Sequence, residues 1–188
     1  MTDAERGLRC DKKILATIDK TLNHALVNND RVFFMRYDVG TPVGYTDTSN
    51  EAFRNGQANF MKHLKRNGFK PHYVAVRELS KEKRNHYHAI LMLDGRKTQS
   101  IHDHVEKADE LFANAYGVPG KQGIVDDCTK RRDGSRQENG IMLRRGDPEF
   151  NEKVGEAFRV ASYLAKENQK SNKTERSREL FSSRVPKS

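Results

Sequence analysis

No stretch of this 188-residue sequence approaches the roughly 18 consecutive apolar residues that a membrane span requires. The N-terminal eleven residues carry Asp3, Glu5, Arg6 and Arg9, and no apolar signal core follows them. These two absences exclude an integral membrane helix and lead to an expectation of a cytoplasmic protein with no membrane partner. Cysteine is scarce as well: Cys10 and Cys128 have neither metal-ligand spacing nor a partner nearby in sequence. A disulfide framework or zinc knuckle is therefore not expected, and both thiols read as reduced and incidental. Tryptophan is absent, no internal repeat is found, and no Gly-x-x-x-x-Gly-Lys-[Ser/Thr] phosphate loop is present.

Charge, by contrast, is abundant. Charged residues make up 32% of the chain, and 35 Lys and Arg outweigh 26 Asp and Glu to give a formal net charge of +9. Such an excess favours a polyanionic partner, because each phosphate neutralised releases condensed counterions. The hydrophobic fraction of 35% suits an α+β domain in which each helix and strand buries one face.

Periodicity divides the chain into short elements. Residues 11–27 place Ile14, Leu15, Ile18, Leu22 and Leu26 on one helical stripe. Residues 31–39 (RVFFMRYDV) read as a strand, ended by Thr41-Pro42 and Gly44. Thr48 and Glu51 have capping-box spacing before a helix that stops near Gly68. Residues 72–79 and 85–93 flank the charged segment 80–84 as a hairpin. Ser100 and Asp103 open a third helix, which ends near Tyr116-Gly117.

Residues 117–140 read as loop, with a short strand near Ile124-Val125, and 141–144 read as an edge strand. Asp147-Pro148 then starts a helix running to about Asn168. From Lys166 to the end there are seven basic and three acidic residues, so residues 169–188 are expected to form a basic, loosely held tail. The fold expected is α+β: a mostly antiparallel central sheet packed against helices, in one domain over residues 1–168.

The chemistry concentrates at two places. His86-Tyr87-His88 begins the strand that continues Ala-Ile-Leu-Met-Leu. Side chains two apart on a strand share a face, so these imidazoles can converge on one metal ion. His102 and His104 have the same spacing at the start of a helix, where two residues rotate through about 200° and diverge; that pair reads as solvated surface. If the hairpin closes symmetrically around 80–84, Glu78 lies opposite His86 and adds a carboxylate. Two histidines and one carboxylate leave coordination positions open, as a catalytic metal needs.

The second place is Ala161-Ser162-Tyr163-Leu164-Ala165-Lys166, where Tyr163 and Lys166 share a helix face. A phenol is a poor nucleophile near its free pKa of about 10, and a neighbouring ammonium and metal favour the phenolate.

The order of "RYDV", "VREL", "HYHAILML" and "SYLAK" resembles the HUH endonuclease superfamily. The closest likeness is to its inovirus-type rolling-circle replication initiators, over roughly residues 32–166. The resemblance implies a ferredoxin- or RRM-like sheet with the tyrosine helix across its histidine face. It implies His86, His88 and Glu78 as ligands of Mg2+ or Mn2+, Tyr163 as the nucleophile and Lys166 as its helper. The implied activity is site-specific nicking of single-stranded DNA at a replication origin, linear or folded as a hairpin. That chemistry leaves a 5′-phosphotyrosine and a free 3′-hydroxyl in a bacterial host cell.

The tyrosine follows the histidines, as in initiators and unlike conjugative relaxases, and it is single. Without a phosphate loop, strand separation and extension fall to a host helicase and polymerase. Phosphate contacts are expected from Lys130, Arg131, Arg132, Arg136, Arg144 and Arg145. The competing readings are a catalytically inactive DNA-binding regulator on the same fold and an RRM-like RNA-binding module. Whether Arg36 and Asp38 reach the site or only brace the sheet is left open by the sequence.

Overall fold

The computed structural model describes residues 10–79, 84–130, 134–166 and 180–186. In chain order the helices are α1 (Lys12–Asn28), α2 (Glu51–Arg66), α3 (His102–Ala115) and α4 (Phe150–Ser162). The strands are β1 (Arg31–Gly40), β2 (His72–Leu79), β3 (Asn85–Asp94), β4 (Val125–Asp126), β5 (Ile141–Arg144) and β6 (Leu180–Ser182). The fold is α+β, and every strand pairing is antiparallel, in the order β4-β1-β3-β2-β6 with β5 also on β1. Among the described residues no helix is long and apolar enough to cross a membrane.

Helices cover both faces of the sheet, which explains why β3 reads as a nearly continuous apolar run. One face carries Phe33, Met35, Tyr37, Ala89, Leu91 and Leu93 against Phe53, Phe60, Leu64 and Phe112 of α2 and α3. The other carries Val32, Phe34, Val74, Val76, Ile90 and Met92 against α1 (Ile14, Ile18, Leu22) and α4 (Ala157, Ala161). The α2–α3 contact is close because α2 has a glycine there: a Cβ on Gly56 would run into the ring of Phe112, itself fully buried.

Several sequence expectations shift locally. Asp11 caps α1, accepting from the amides of Lys13 and Ile14 at 2.8 and 3.1 Å. In place of the expected capping boxes, the hydroxyls of Ser49 and Ser100 each accept one first-turn amide, from Glu51 and His102. The last helix, expected to reach about Asn168, stops at Ser162 and tightens into a 3-10 turn over Tyr163–Ala165. Within the segment read as a loose tail, Leu180–Ser182 instead pairs with β2 and buries Phe181 among the α2–α3 core residues. The expected hairpin turn at 80–83, and tail residues 167–179 and 187–188, lie outside the described residues.

His102 is exposed, as expected, but His104 is buried, at the opposite rotation of the helix. Its Nε2 lies 2.8 Å from Thr98 Oγ1 and its ring meets Phe69 edge-on. His72 likewise sits edge-on to His24, with ring centroids 4.9 Å apart.

Burial lowers the pKa of His72, with His24 and Lys65 adding to it. Burial also lowers that of His104, where Asp103 opposes the shift and His63 adds to it. A neutral folded-state ring contributes stability that is complete above the unfolded value of about 6.5 and is lost as pH falls through the lower folded value. In thermal melts from about pH 7.5 down to about pH 5, the change in Tm on acidification should therefore be less unfavourable in the His72→Gln/His104→Gln double variant than in the wild type. Gly56→Val should cost about 1–3 kcal/mol by overpacking against Phe112, read by urea unfolding.

Candidate active site

The β2–β3 register pairs Glu78 with His86 and Val76 with His88, as the symmetric hairpin predicts. The β1–β3 register places Asp38 opposite His88 and Gly40 opposite His86. Because side chains alternate, Arg36, Asp38, Glu78, His86 and His88 all project from the face covered by α1 and α4. They occupy one end of that face, where the apolar residues Phe34, Val76 and Ile90 give way to ionisable ones.

The five side chains form one connected cluster. His88 Nδ1 lies 2.8 Å from Asp38 Oδ2, and its Nε2 lies 2.7 Å from Glu78 Oε2. His86 Nε2 reaches the same Asp38 oxygen at 3.5 Å. Arg36 donates to both Asp38 oxygens, from Nε and Nη2 to Oδ1 at 3.2 Å each and from Nη2 to Oδ2 at 3.0 Å. All but His86 are largely buried: the side-chain exposure of Asp38 is 13% and that of His88 10%, against 37% for His86.

Burial would push the Asp38 carboxyl upward, but hydrogen bonds from His86 and His88 and the charge of Arg36 hold it well below the usual carboxylate range. Burial would likewise lower His88, but Asp38 and Glu78 outweigh it and its pKa lies above the ordinary histidine value. For Arg36, burial opposes the charge and Asp38 more than offsets it.

Asp38, His86 and His88 present ligand atoms that all lie within 4.8 Å of one another. A carboxylate with two imidazoles fits a divalent transition metal and leaves positions open for water or a phosphate oxygen. Glu78, expected as the third ligand, is instead hydrogen-bonded to the far nitrogen of His88. Its side chain leans diagonally across the ladder, past His86, and Asp38 on β1 supplies the carboxylate that faces both rings. A carboxylate behind a metal-bound histidine fixes the ring and its tautomer, which is the role open to Glu78 here. The sequence left the place of Asp38 open because no short turn ties β1 to β3 in register; the available clue was the alternation of Arg36 and Asp38 in "RYDV".

Tyr163 enters from the end of α4. Its ring meets His88 edge-on at 5.3 Å between centroids, and the Arg36 guanidinium lies over it with Cζ 4.3 Å from its centroid. Lys166 Nζ is 5.7 Å from the same centroid. The two residues keep the expected proximity, although Lys166 lies just past the 3-10 turn in extended backbone. The chain before α1 anchors this turn: the Asp11 amide donates to Ala165 O at 2.8 Å, and Cys10 bridges to Lys166.

The loop after β4 closes the site from the outer edge of β1. Its Asn139 side chain fills the gap between β4 and β5, accepting from the Arg36 amide at 2.8 Å and donating to Arg36 O at 2.6 Å. Cys128, buried in a left-handed conformation at φ 54°, lies beside Asp38, and burial followed by that carboxylate pushes its thiol pKa up. The sequence reading had set this cysteine aside.

The basic residues divide. Lys130 and Arg136 face each other across this loop and are exposed. Arg144 pairs with Arg31, seven residues from Asp38 along β1, which is about 23 Å at strand rise. Arg145 donates to Leu26 O near the end of α1 at 2.6 Å. These last two therefore lie away from the site and serve the opposite end of the sheet. Arg131 and Arg132 lie outside the described residues.

Alanine at Asp38, His86 or His88 should abolish Mn2+ binding measured by isothermal titration calorimetry. Glu78→Gln should weaken it about 10–100-fold, the usual effect of losing an outer hydrogen-bond partner. A Glu78→Gln loss as complete as the other three would make Glu78 a direct ligand.

No curated protein matches this chain. The model of the YagK/YfjJ C-terminal domain family matches residues 2–182, and the chain belongs to that family.

Proposed function

We propose that this protein is a metal-dependent nuclease of the HUH type, which nicks single-stranded DNA by joining the 5′ end to Tyr163 and so initiates rolling-circle replication. The observation that carries the reading is a phenol held edge-on to His88, within a cluster that brings Asp38, His86 and His88 into ligand range of one another. A regulator that only bound DNA would need neither the converging ligands nor the tyrosine beside them.

In the reaction the Tyr163 oxygen attacks the scissile phosphorus as the bond from phosphorus to the 3′ oxygen breaks. The electron pair leaves on the 3′ oxygen, which takes up a proton, while the phenol loses one. One phosphodiester is exchanged for another, so the bond energy is kept for rejoining. A bound divalent cation would offset charge on the transferring phosphoryl group. Asp38, His86 and His88 would hold that cation, with Glu78 orienting His88. Lys166 and Arg36 place positive charge beside the phenol, where the phenolate and the incoming phosphate both carry negative charge.

A groove of about 680 Å3 is lined by residues that include Lys130, Arg136, Glu138, Asn139, Lys153 and Glu156, and Asn139 links it to the backbone of Arg36. We assign it the flanking DNA strand. The net charge of +9 agrees with a polyanion as substrate.

The test uses a random-sequence single-stranded DNA library labelled at its 3′ end, incubated with the protein and Mn2+ and resolved on denaturing gels. A labelled band migrating with the protein, absent for Tyr163→Phe and His88→Ala, is the expected result; sequencing the captured DNA then gives the site recognised. Binding to the library without any covalent band in Mn2+ or Mg2+, and unaltered in both variants, would leave a DNA-binding protein and remove the enzyme.

A further inference from the structure

Arg36 touches both halves of the site. Its guanidinium bonds both oxygens of Asp38, approaches His88 Nδ1 at 3.3 Å, and lies across the Tyr163 ring at 4.3 Å. Its side-chain exposure is 15%, and its backbone is clipped on both sides by Asn139. It therefore has little freedom to swing into solvent. The same Asp38 oxygen, Oδ2, takes the guanidinium at 3.0 Å and faces the two imidazoles at 2.8 and 3.5 Å. A cation bound by Asp38 and the histidines must compete with Arg36 for that oxygen.

We propose that Arg36 is a positioning residue that couples metal binding to the nucleophile: it neutralises Asp38 in the metal-free protein and, when a divalent cation takes that carboxylate, is handed to Tyr163. The inference rests on the nuclease reading for its consequence but not for its first step, which is a competition between two cations for one carboxylate. Two positive charges at one buried carboxylate repel at short range, so the guanidinium shifts toward the group it already overlies. There the planar cation sits against the phenol ring, close to where the phenolate and phosphate carry charge. The device makes Tyr163 fully attended only when the metal is present, which guards against an exposed nucleophile without its cofactor.

This makes an unusual demand on variants. A residue that merely braced the site would weaken metal binding when removed. Arg36→Gln should instead bind Mn2+ more tightly, by about tenfold, the size expected for relieving one charged hydrogen-bonded competitor. Arg36→Lys, which keeps the charge without the planar fork, should bind Mn2+ as the wild type does. Both variants should lose covalent adduct by at least about tenfold.

The experiment measures Mn2+ affinity by electron paramagnetic resonance for wild type, Arg36→Gln and Arg36→Lys. In parallel, fluorine NMR of fluorotyrosine-labelled protein follows the Tyr163 resonance, assigned by its loss in Tyr163→Phe, during Mg2+ addition. Tighter Mn2+ binding by Arg36→Gln, with a Tyr163 resonance that responds to Mg2+ in the wild type and not in Arg36→Gln, supports the coupling. Equal or weaker Mn2+ binding by Arg36→Gln, or a Tyr163 resonance equally responsive without the arginine, overturns it. Should Arg36→Gln melt well below the wild type, Arg36→Lys decides: wild-type Mn2+ affinity with a lost Tyr163 response supports the coupling, and an unchanged response refutes it. If the wild type forms no adduct while the metal and NMR arms behave as expected, the nuclease reading fails and the coupling stands.

Discussion

A carboxylate buried on a sheet face must be matched by positive charge, and the arrangement around Asp38 follows from that requirement. Its partners come from its own strand (Arg36) and the neighbouring one (His86, His88). Replacing Asp38 alone would leave Arg36 as a buried cation without its ion-pair partner; such losses typically cost several kcal/mol. The cluster is thus balanced only as a set. Under the proposed function, a metal ion entering at Asp38 would replace positive charge that is already there.

The position of the cluster follows from the packing of the rest. Both faces of the sheet are covered, so most of β1 and β3 is apolar on both sides, with side chains such as Phe34, Leu91 and Met92 fully buried. Ionisable residues are tolerated on the α1–α4 face only where the helices run out. Helix α4 contributes Ala157 and Ala161 to the core and ends at Ser162. Small residues let that helix lie close to the sheet, and its termination then releases Tyr163 over the charged end. Lys166 lies just past the 3-10 turn, and the Asp11 amide holds Ala165 O at 2.8 Å, so Tyr163 and Lys166 remain together.

What was legible in the sequence was local. The hairpin register followed from symmetry about a short charged turn, which is why Glu78 opposite His86 is borne out. Strand alternation put the two histidines on one face, and the element order and sheet class were readable from periodicity. Long-range pairings were not readable. Nothing in "RYDV" states that β1 lies beside β3 with Asp38 against His88, because the two strands are joined through α2 and β2 rather than by a turn. For the same reason Leu180–Ser182 looked like tail, Asn139 looked like loop, and His104 looked exposed. Leu180–Ser182 and Asn139 owe their roles to neighbours far along the chain, and His104 packs on Phe69 from the loop between α2 and β2. Arg144 and Arg145 are a different case: charge was visible in the sequence, but not which end of β1 would carry it.

The choice of carboxylate has a mechanistic side. A ligand set drawn wholly from the β2–β3 hairpin would assemble with the hairpin itself and owe little to the rest of the fold. Using Asp38 instead ties the cluster to β1, and β1 is where Arg36 and Asn139 sit. Through Arg36 the same strand also meets the end of α4. The three parts that the proposed transesterification requires are the candidate ligands, the tyrosine and the charge beside it. They come from β1, β3 and the α4 turn, and they meet only when the whole sheet and both helices of that face are in place. The proposed chemistry is therefore conditional on the complete fold.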